Sequence, residues 1–238
     1  RFYCTAHYLI THFFYGGIGY NLDRFFNVNE AEKQSEITDA SAYALGTNGN
    51  TTSSGFTFNL LRDSRKNSIN PTGGFYTAFV YKFNMPRLGS TYEWQSFYAD
   101  ARKYLPLSNI RHRVLGFWLF YWGTFGDVPY LNLPGTAQDF YGRAGRGYKF
   151  GRFRGKQMLY GETEYRFNLS DNGFWGGVLF VNAQSFTDPG TNDFKYIHPA
   201  TGFGLRIKFN KRSNANVTLD FAFGKDSFNW YLNLGEFF

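Results

Sequence analysis

Two stretches near the C-terminal end decide the fold: Phe203-Gly-Leu-Arg-Ile-Lys-Phe209 and Val217-Thr-Leu-Asp-Phe-Ala-Phe223. In each stretch, apolar side chains occupy every second position and small, polar or charged residues lie between them. Side chains alternate between the two faces of a β-strand, so this period of two predicts two strands that each have an apolar and a polar face. The polar run 210–214 between them predicts a short turn, and therefore an antiparallel hairpin.

The same alternation continues along the chain and predicts about ten strands. A second hairpin is expected around the polar run 62–74, and no proline-rich or serine-rich linker divides the sequence. We therefore predict one domain over residues 1–238. The predicted strands cover roughly residues 5–21, 56–60, 75–83, 91–105, 112–125, 156–169, 174–186, 203–209, 217–223 and 228–238.

The composition favours a membrane-spanning barrel. Phe, Tyr and Trp make up 22% of the chain and glycine is abundant, which suits a lipid-facing surface with aromatic girdles. The longest apolar run, 114–123, is too short for a membrane helix of ~20 residues but fits a tilted strand of ~9–11. The predicted fold is thus all-β, an antiparallel transmembrane β-barrel. A soluble sandwich or lipocalin-like barrel also alternates, but it would leave the lysines and arginines opposite the aromatic face unexplained.

The stretch 142–156 holds six cations and five glycines without an acidic residue, and it lies between two predicted strands. Its cations need acidic partners elsewhere in the chain. Counted from the C-terminus, alternate connections are short (106–111, 170–173, 210–214), and the other set includes three long ones (22–51, 126–155, 187–200). Outer-membrane barrels have short periplasmic turns and longer external loops, so this pattern places Phe238 at the periplasmic end.

Other classes of function find little support in the sequence. The four histidines show no metal-binding spacing and no Gly-x-Ser-x-Gly motif is present, so we predict no catalytic site, no metal and no cofactor. The single cysteine, Cys4, excludes an internal disulfide. The Gly-Arg-Gly run is similar to disordered nucleic-acid-binding segments, but predicted strands bracket it, so we expect no nucleic-acid partner.

The run Gly145-Arg-Gly-Tyr148 resembles the loop tip Val/Ile-Arg-Gly-Phe/Tyr of the outer-membrane assembly and secretion barrels of the BamA and TamA type, which include the two-partner secretion transporters. Arg146, Gly147 and Tyr148 match the motif, whereas Gly145 replaces its aliphatic residue. Five predicted strands follow the loop and an aromatic residue ends the chain, as in the family. The run 62–74 also resembles the family's turn before its ninth strand.

The resemblance implies a sixteen-stranded barrel, with a long loop folded into the lumen and a weak seam between the first and last strands. The remaining strands, and any periplasmic domains, are then expected before Arg1. Acids on the next two strands hold the loop arginine in the family. Glu164 is the matching acid on the first of these, Asn182 stands where the family usually has Asp, and Glu162 is a substitute partner. We therefore expect a clamp that is weaker by one charge. Spacing alone favours a different interpretation, in which Arg146 is one of several lumen arginines solvated by water, and the expectation of a clamp comes from the resemblance.

The resemblance further implies an outer-membrane factor that inserts or secretes β-rich client proteins without bond chemistry. A structural barrel that serves as a scaffold or passive pore in a larger complex is the alternative. The expected location is the bacterial outer membrane with a periplasmic C-terminus, and the expected partners are membrane lipid, with lipopolysaccharide as one candidate, and client proteins or partner subunits. Trp230, Leu232, Leu234 and Phe238 would form a C-terminal assembly signal.

Overall fold

The described part of the chain folds as one antiparallel sheet of eleven strands. The computed structural model describes residues 1–28, 43, 45–108 and 113–238. Each strand pairs with the next one in sequence, so β1 and β11 are the edges of the sheet. The helices described in these ranges are single turns, and none is long or apolar enough to span a membrane. The strands are β1 (Phe2–Thr11), β2 (Phe14–Val28), β3 (Gly49–Asp63), β4 (Gly74–Asn84), β5 (Trp94–Ser108), β6 (Arg113–Gly126), β7 (Gln157–Asn168), β8 (Trp175–Thr187), β9 (Phe194–Asn210), β10 (Ala215–Gly224) and β11 (Ser227–Leu234).

Both predicted hairpins are confirmed. β9 pairs with β10, with Leu205 opposite Leu219, and β3 pairs with β4 around the run 62–74. The predicted single strand over 5–21 is wrong, because the chain reverses between β1 and β2. Phe13 makes this reversal with φ 62°, a conformation that glycine or asparagine usually supplies, so no ordinary turn residue marks it.

Two predicted connections also differ from the structure. The expected loop 187–200 shrinks to 188–193 because β9 begins at Phe194, and Pro199 lies within that strand opposite Ala183. Pro106, expected in a turn, lies in β5 beside a shift of register, a position that tolerates proline in a sheet. Residues 109–112 and half of the expected loop 22–51 lie outside the described residues; at its two ends the loop prediction is wrong, because β2 extends to Val28 and β3 begins at Gly49.

The sheet curls around the loop that joins β6 to β7, residues 127–156. Eleven strands would span roughly 48 Å if the sheet were flat. Yet the ring of Phe140 in this loop lies 5.6 Å from that of Tyr3 on β1, and the amide of Gly147 donates to Tyr231 Oη on β11 at 3.0 Å. The edge strands β1 and β11 are therefore close enough for residues 140–147 of this loop to contact both. The sheet has a concave face that holds the loop and a convex face.

The predicted alternation is confirmed by the burial of strands such as β7, whereas β1 is exposed along its whole length. On β7, Tyr160, Glu162 and Glu164 are buried on the concave face, whereas Leu159 is 42% exposed on the convex face. An aromatic cluster that includes Trp118 and Tyr160 fills part of the concave side. Charged and aromatic side chains thus share the interior, and aliphatic and aromatic side chains cover the outside.

The C-terminal residues leave the sheet and enter its concave side. The last strand was predicted to run to Phe238, but β11 ends at Leu234, where Gly235 turns the chain with φ 95°. We call residues 235–238 the C-terminal tail. Phe238 is 2% exposed and packs against Trp118, with ring centroids 5.3 Å apart. The other residues of the predicted assembly signal, Trp230, Leu232 and Leu234, are exposed on the convex side.

A connection between β3 and β4, residues 64–73, crosses the end of the sheet where the C-terminal tail lies. The side-chain amide of Asn67 donates to Ser213 O at 2.8 Å, and that of Asn70 donates to Asn214 O at 3.1 Å. The amide of Glu236 donates to Ile69 O at 2.9 Å. Residues 64–73 therefore join β3 and β4 to the β9–β10 turn and to the chain end.

Candidate functional site

The 127–156 loop folds back on itself and presents Arg146 to the concave face of the sheet. Within the loop, Ala137 N donates to Ala144 O at 2.8 Å, and Asp139 Oδ1 accepts from the amides of Arg143 and Ala144. Gly145 has φ 90°, and a Cβ atom there would lie 2.6 Å from Gln184 Oε1. This conformation and this close contact explain why glycine replaces the aliphatic residue of the family motif.

Arg146 is buried among carboxylates. Its guanidinium group contacts Glu162 and Glu164 on β7, and Nη1 donates to Asp220 Oδ2 on β10 at 2.9 Å. Asn182 on β8 donates from Nδ2 to the main-chain oxygen of Arg146 at 3.1 Å. The structure thus brings together all the residues predicted around Arg146, and it adds Asp220. A water-solvated Arg146 does not fit this geometry, because the residue is 1% exposed.

Aromatic rings cover both faces of the Arg146 guanidinium group. Cζ lies 3.6 Å from the ring centroid of Phe180 on β8 and 4.0 Å from that of Phe237 in the C-terminal tail. A guanidinium group is planar, so its edges donate hydrogen bonds while its faces stack on rings. We call Arg146, Glu162, Glu164, Asp220, Phe180 and Phe237 the Arg146 site.

The charges of the Arg146 site continue into a wider buried network. Arg166 pairs with Glu164, and Arg206 pairs with Asp220 and, at 2.7 Å, with Glu236. Burial alone would raise the pKa of Glu236, but the guanidinium groups of Arg206 and Arg166 outweigh that effect and lower it. Removing one partner of such a buried pair leaves an uncompensated charge, so these residues depend on one another.

The motif residues after Arg146 fix the loop to the far strands. Tyr148 is 2% exposed; its hydroxyl donates to Pro199 O at 2.6 Å and accepts from the amide of Lys225 at 3.1 Å. Gly147, with φ 102°, lies so close to β9 that a Cβ atom would be 2.8 Å from Ala200 Cβ. The Arg-Gly-Tyr core therefore contacts every strand from β7 to β11 directly or through its neighbours.

Three members of the site are not among the residues predicted from the sequence. Asp220 lies on the polar face of a clearly predicted strand, so its inward direction was readable, but its position opposite Arg146 depends on the curvature of the sheet. Phe180 precedes the expected partner Asn182 by two positions and shares its face. Phe237 gave no such signal, because it was assigned to the last strand. Among the described residues, no group of three or more His, Cys, Asp or Glu residues could hold a metal ion.

Comparisons with known proteins identify the family and the fold of this chain. The sequence model of the Omp85 superfamily domain matches residues 5–238, and no curated protein matches the chain. Among solved structures, the fold is similar to BamA from Haemophilus ducreyi lacking POTRA domains 1–3, with a TM-score of 0.66 and 15% sequence identity. The match covers 98% of this chain and 53% of the BamA chain, so the chain spans about half the length of that protein. The chain belongs to the Omp85 superfamily.

Proposed function

We propose that this chain is the C-terminal part of an outer-membrane barrel that inserts or secretes β-rich client proteins in a bacterial outer membrane. The observation that carries the proposal is the Arg146 site, in which a loop tip with the Arg-Gly-Tyr sequence is held inside the sheet by carboxylates of β7 and β10. The proposed work is templating of strands and involves no bond chemistry.

The two faces of the sheet support a place in the bilayer. The convex face exposes large apolar side chains on many strands, whereas the concave face is charged. Apolar surface of this extent needs an apolar partner. Lipid is a suitable partner, because along each strand the apolar side chains of the convex face alternate with polar side chains of the concave face, as in membrane barrels. Representative convex residues, each 48–63% exposed, are Phe56, Phe58, Leu119, Leu179, Phe203 and Leu232.

The edge strands support the mode of action. β1 and β11 end the sheet, and an edge strand offers main-chain groups to which another strand can be added. In the proposed barrel, further strands join β1 to complete the wall, and client strands pair transiently near the seam at β11. The C-terminal tail would face the periplasm, because the compact turns 169–174 and 211–214 lie at its end and the 127–156 loop enters from the other.

A structural barrel that acts as a scaffold in a larger complex is the second candidate. The buried aromatic cluster on the concave face favours it, because Trp118, Tyr160 and Phe238 fill space that a passive pore would leave open. The same packing speaks against an open channel in this state.

Reconstitution tests the proposal. The full-length protein would be placed in lipid vesicles and offered a urea-denatured outer-membrane protein. We expect faster client folding than in empty vesicles, followed by the mobility shift of folded barrels in gels without heating. Equal rates in both kinds of vesicle would reject the assembly function and leave the scaffold.

A further inference from the structure

The C-terminal tail contributes one wall of the Arg146 site. After Gly235 has turned the chain, Phe237 and Phe238 both enter the concave side and both are 2% exposed. Their neighbours differ. Phe237 stacks on the guanidinium group of Arg146, whereas Phe238 packs against Trp118 and Tyr104 on β6 and β5. Adjacent rings therefore serve different parts of the interior.

The ring of Phe237 covers one face of Arg146, and Phe180 covers the other. With both faces covered, the guanidinium group meets its carboxylates away from water, where the attraction between opposite charges is stronger. Loss of one ring would let water reach that face and would weaken each ion pair. Phe237 can thus strengthen the contacts of Arg146 with Glu162, Glu164 and Asp220.

A second contact joins the tail to the loop. Arg143 Nη1 donates to Glu236 O at 3.1 Å and to Phe237 O at 2.6 Å. The main chain of Arg143 is itself fixed by Asp139 Oδ1 at 2.6 Å. The loop therefore contacts the tail through two arginines. Arg143 binds the main chain of Phe237, and Arg146 stacks on its ring.

We propose that Phe237 is a positioning residue for the 127–156 loop, and that the tail and the loop hold one another in place. The proposal deepens the proposed function and rests on it for its biological meaning. The proposal predicts a coupling: any event that draws the C-terminal tail out of the concave side also loosens the loop tip, and release of the loop frees the tail.

Hydrogen–deuterium exchange of the full-length protein in detergent micelles tests the coupling. Phe237→Leu keeps an apolar side chain but removes the ring, and exchange of the amides at residues 143–148 should become on the order of tenfold faster. Phe238→Leu is the matched control, because it changes an equally buried neighbour that does not contact Arg146, and it should change the same amides less than about twofold. Phe237→Trp keeps an aromatic ring at this position, so exchange at residues 143–148 should be closer to the original rate than in Phe237→Leu.

Equal acceleration by Phe237→Leu and Phe238→Leu would overturn the proposal, since it would mean general loosening of the interior. Unchanged exchange in Phe237→Leu would overturn it as well. If Phe237→Leu does not fold, Arg143→Ala removes the other contact while leaving both rings, and it should also accelerate exchange at 143–148; no acceleration there overturns the coupling. The measurement needs no client protein, so it can fail or succeed independently of the proposed assembly function.

Discussion

Arg146 and Asp220 lie 74 positions apart in the sequence, yet Nη1 of the arginine donates to Oδ2 of the aspartate at 2.9 Å. This pair changes the charge balance expected from the sequence. The resemblance to the family implies an acid at the position of Asn182, and the structure supplies a carboxylate from β10 instead. We therefore propose that the clamp on Arg146 has not lost a charge but has moved it to another strand.

Asp220→Asn should destabilise the protein strongly. The change removes a charged partner of both Arg146 and Arg206, and the expected loss is about 3 kcal/mol of unfolding free energy, the order found when one member of a buried pair is lost. Urea unfolding in lipid vesicles, followed by tryptophan fluorescence, measures it. Asp171→Asn, in an exposed turn, is the control. Equal midpoints for the two variants would contradict the role of Asp220.

Arg146→Ala should loosen the loop and lower the rate of client folding about tenfold, by the loss of its ion pairs. Arg206 lies outside the Arg-Gly-Tyr motif, but it shares Asp220 with Arg146. Arg206→Ala should therefore have a comparable effect. The vesicle folding assay described above measures both variants.

Arg212 is a better control for these arginine variants, because it lies exposed in the β9–β10 turn. Arg212→Ala should leave the client folding rate unchanged. A similar loss of rate in Arg212→Ala and Arg146→Ala would show that net charge, and not the Arg146 site, governs the activity.

Asn182→Asp should destabilise this chain even though it restores the family residue. The amide donates to the main-chain oxygen of Arg146, and a carboxylate would lose that donor and face the oxygen. The expected loss is about 2 kcal/mol. The same change should be less harmful in combination with Asp220→Asn, because the total charge is then restored. A double-mutant cycle of urea midpoints checks this; strict additivity would argue against a shared network.

Acid should loosen the C-terminal tail through Glu236. Its pKa is lowered in the folded protein, so the stability that it contributes is fully present above its unfolded pKa of about 4.3 and is lost as the pH falls through the lower folded value. In Glu236→Gln, the unfolding midpoint should therefore fall less steeply between pH 5 and pH 2. The difference from the original protein should correspond to the titration of one carboxyl group. Glu93→Gln, at an exposed position, should keep the decline.

The predictions from sequence succeeded where one face of a strand is uniform. Leu205 and Leu219 alternate with polar residues, and their strands, pairing and faces were all readable. Phe13 and Phe237 show the limit. The first makes a turn without turn residues, and the second continues an aromatic segment although Gly235 has already redirected the chain. The alternation of residues along a strand predicts which face of the sheet each side chain lies on. Which of the inward side chains contact one another depends on the curvature of the sheet.

The crossing connection at residues 64–73 has a consequence for the curvature of the sheet. It spans the arc between β4 and the β9–β10 turn, and its Asn67 and Asn70 bonds fix the distance between those two parts of the wall. These bonds join two parts of the sheet that do not pair with each other, so they hold the curvature at this end independently of the strand pairing. Replacing Asn67 and Asn70 by alanine should release this contact while the registers of the described strands stay as they are.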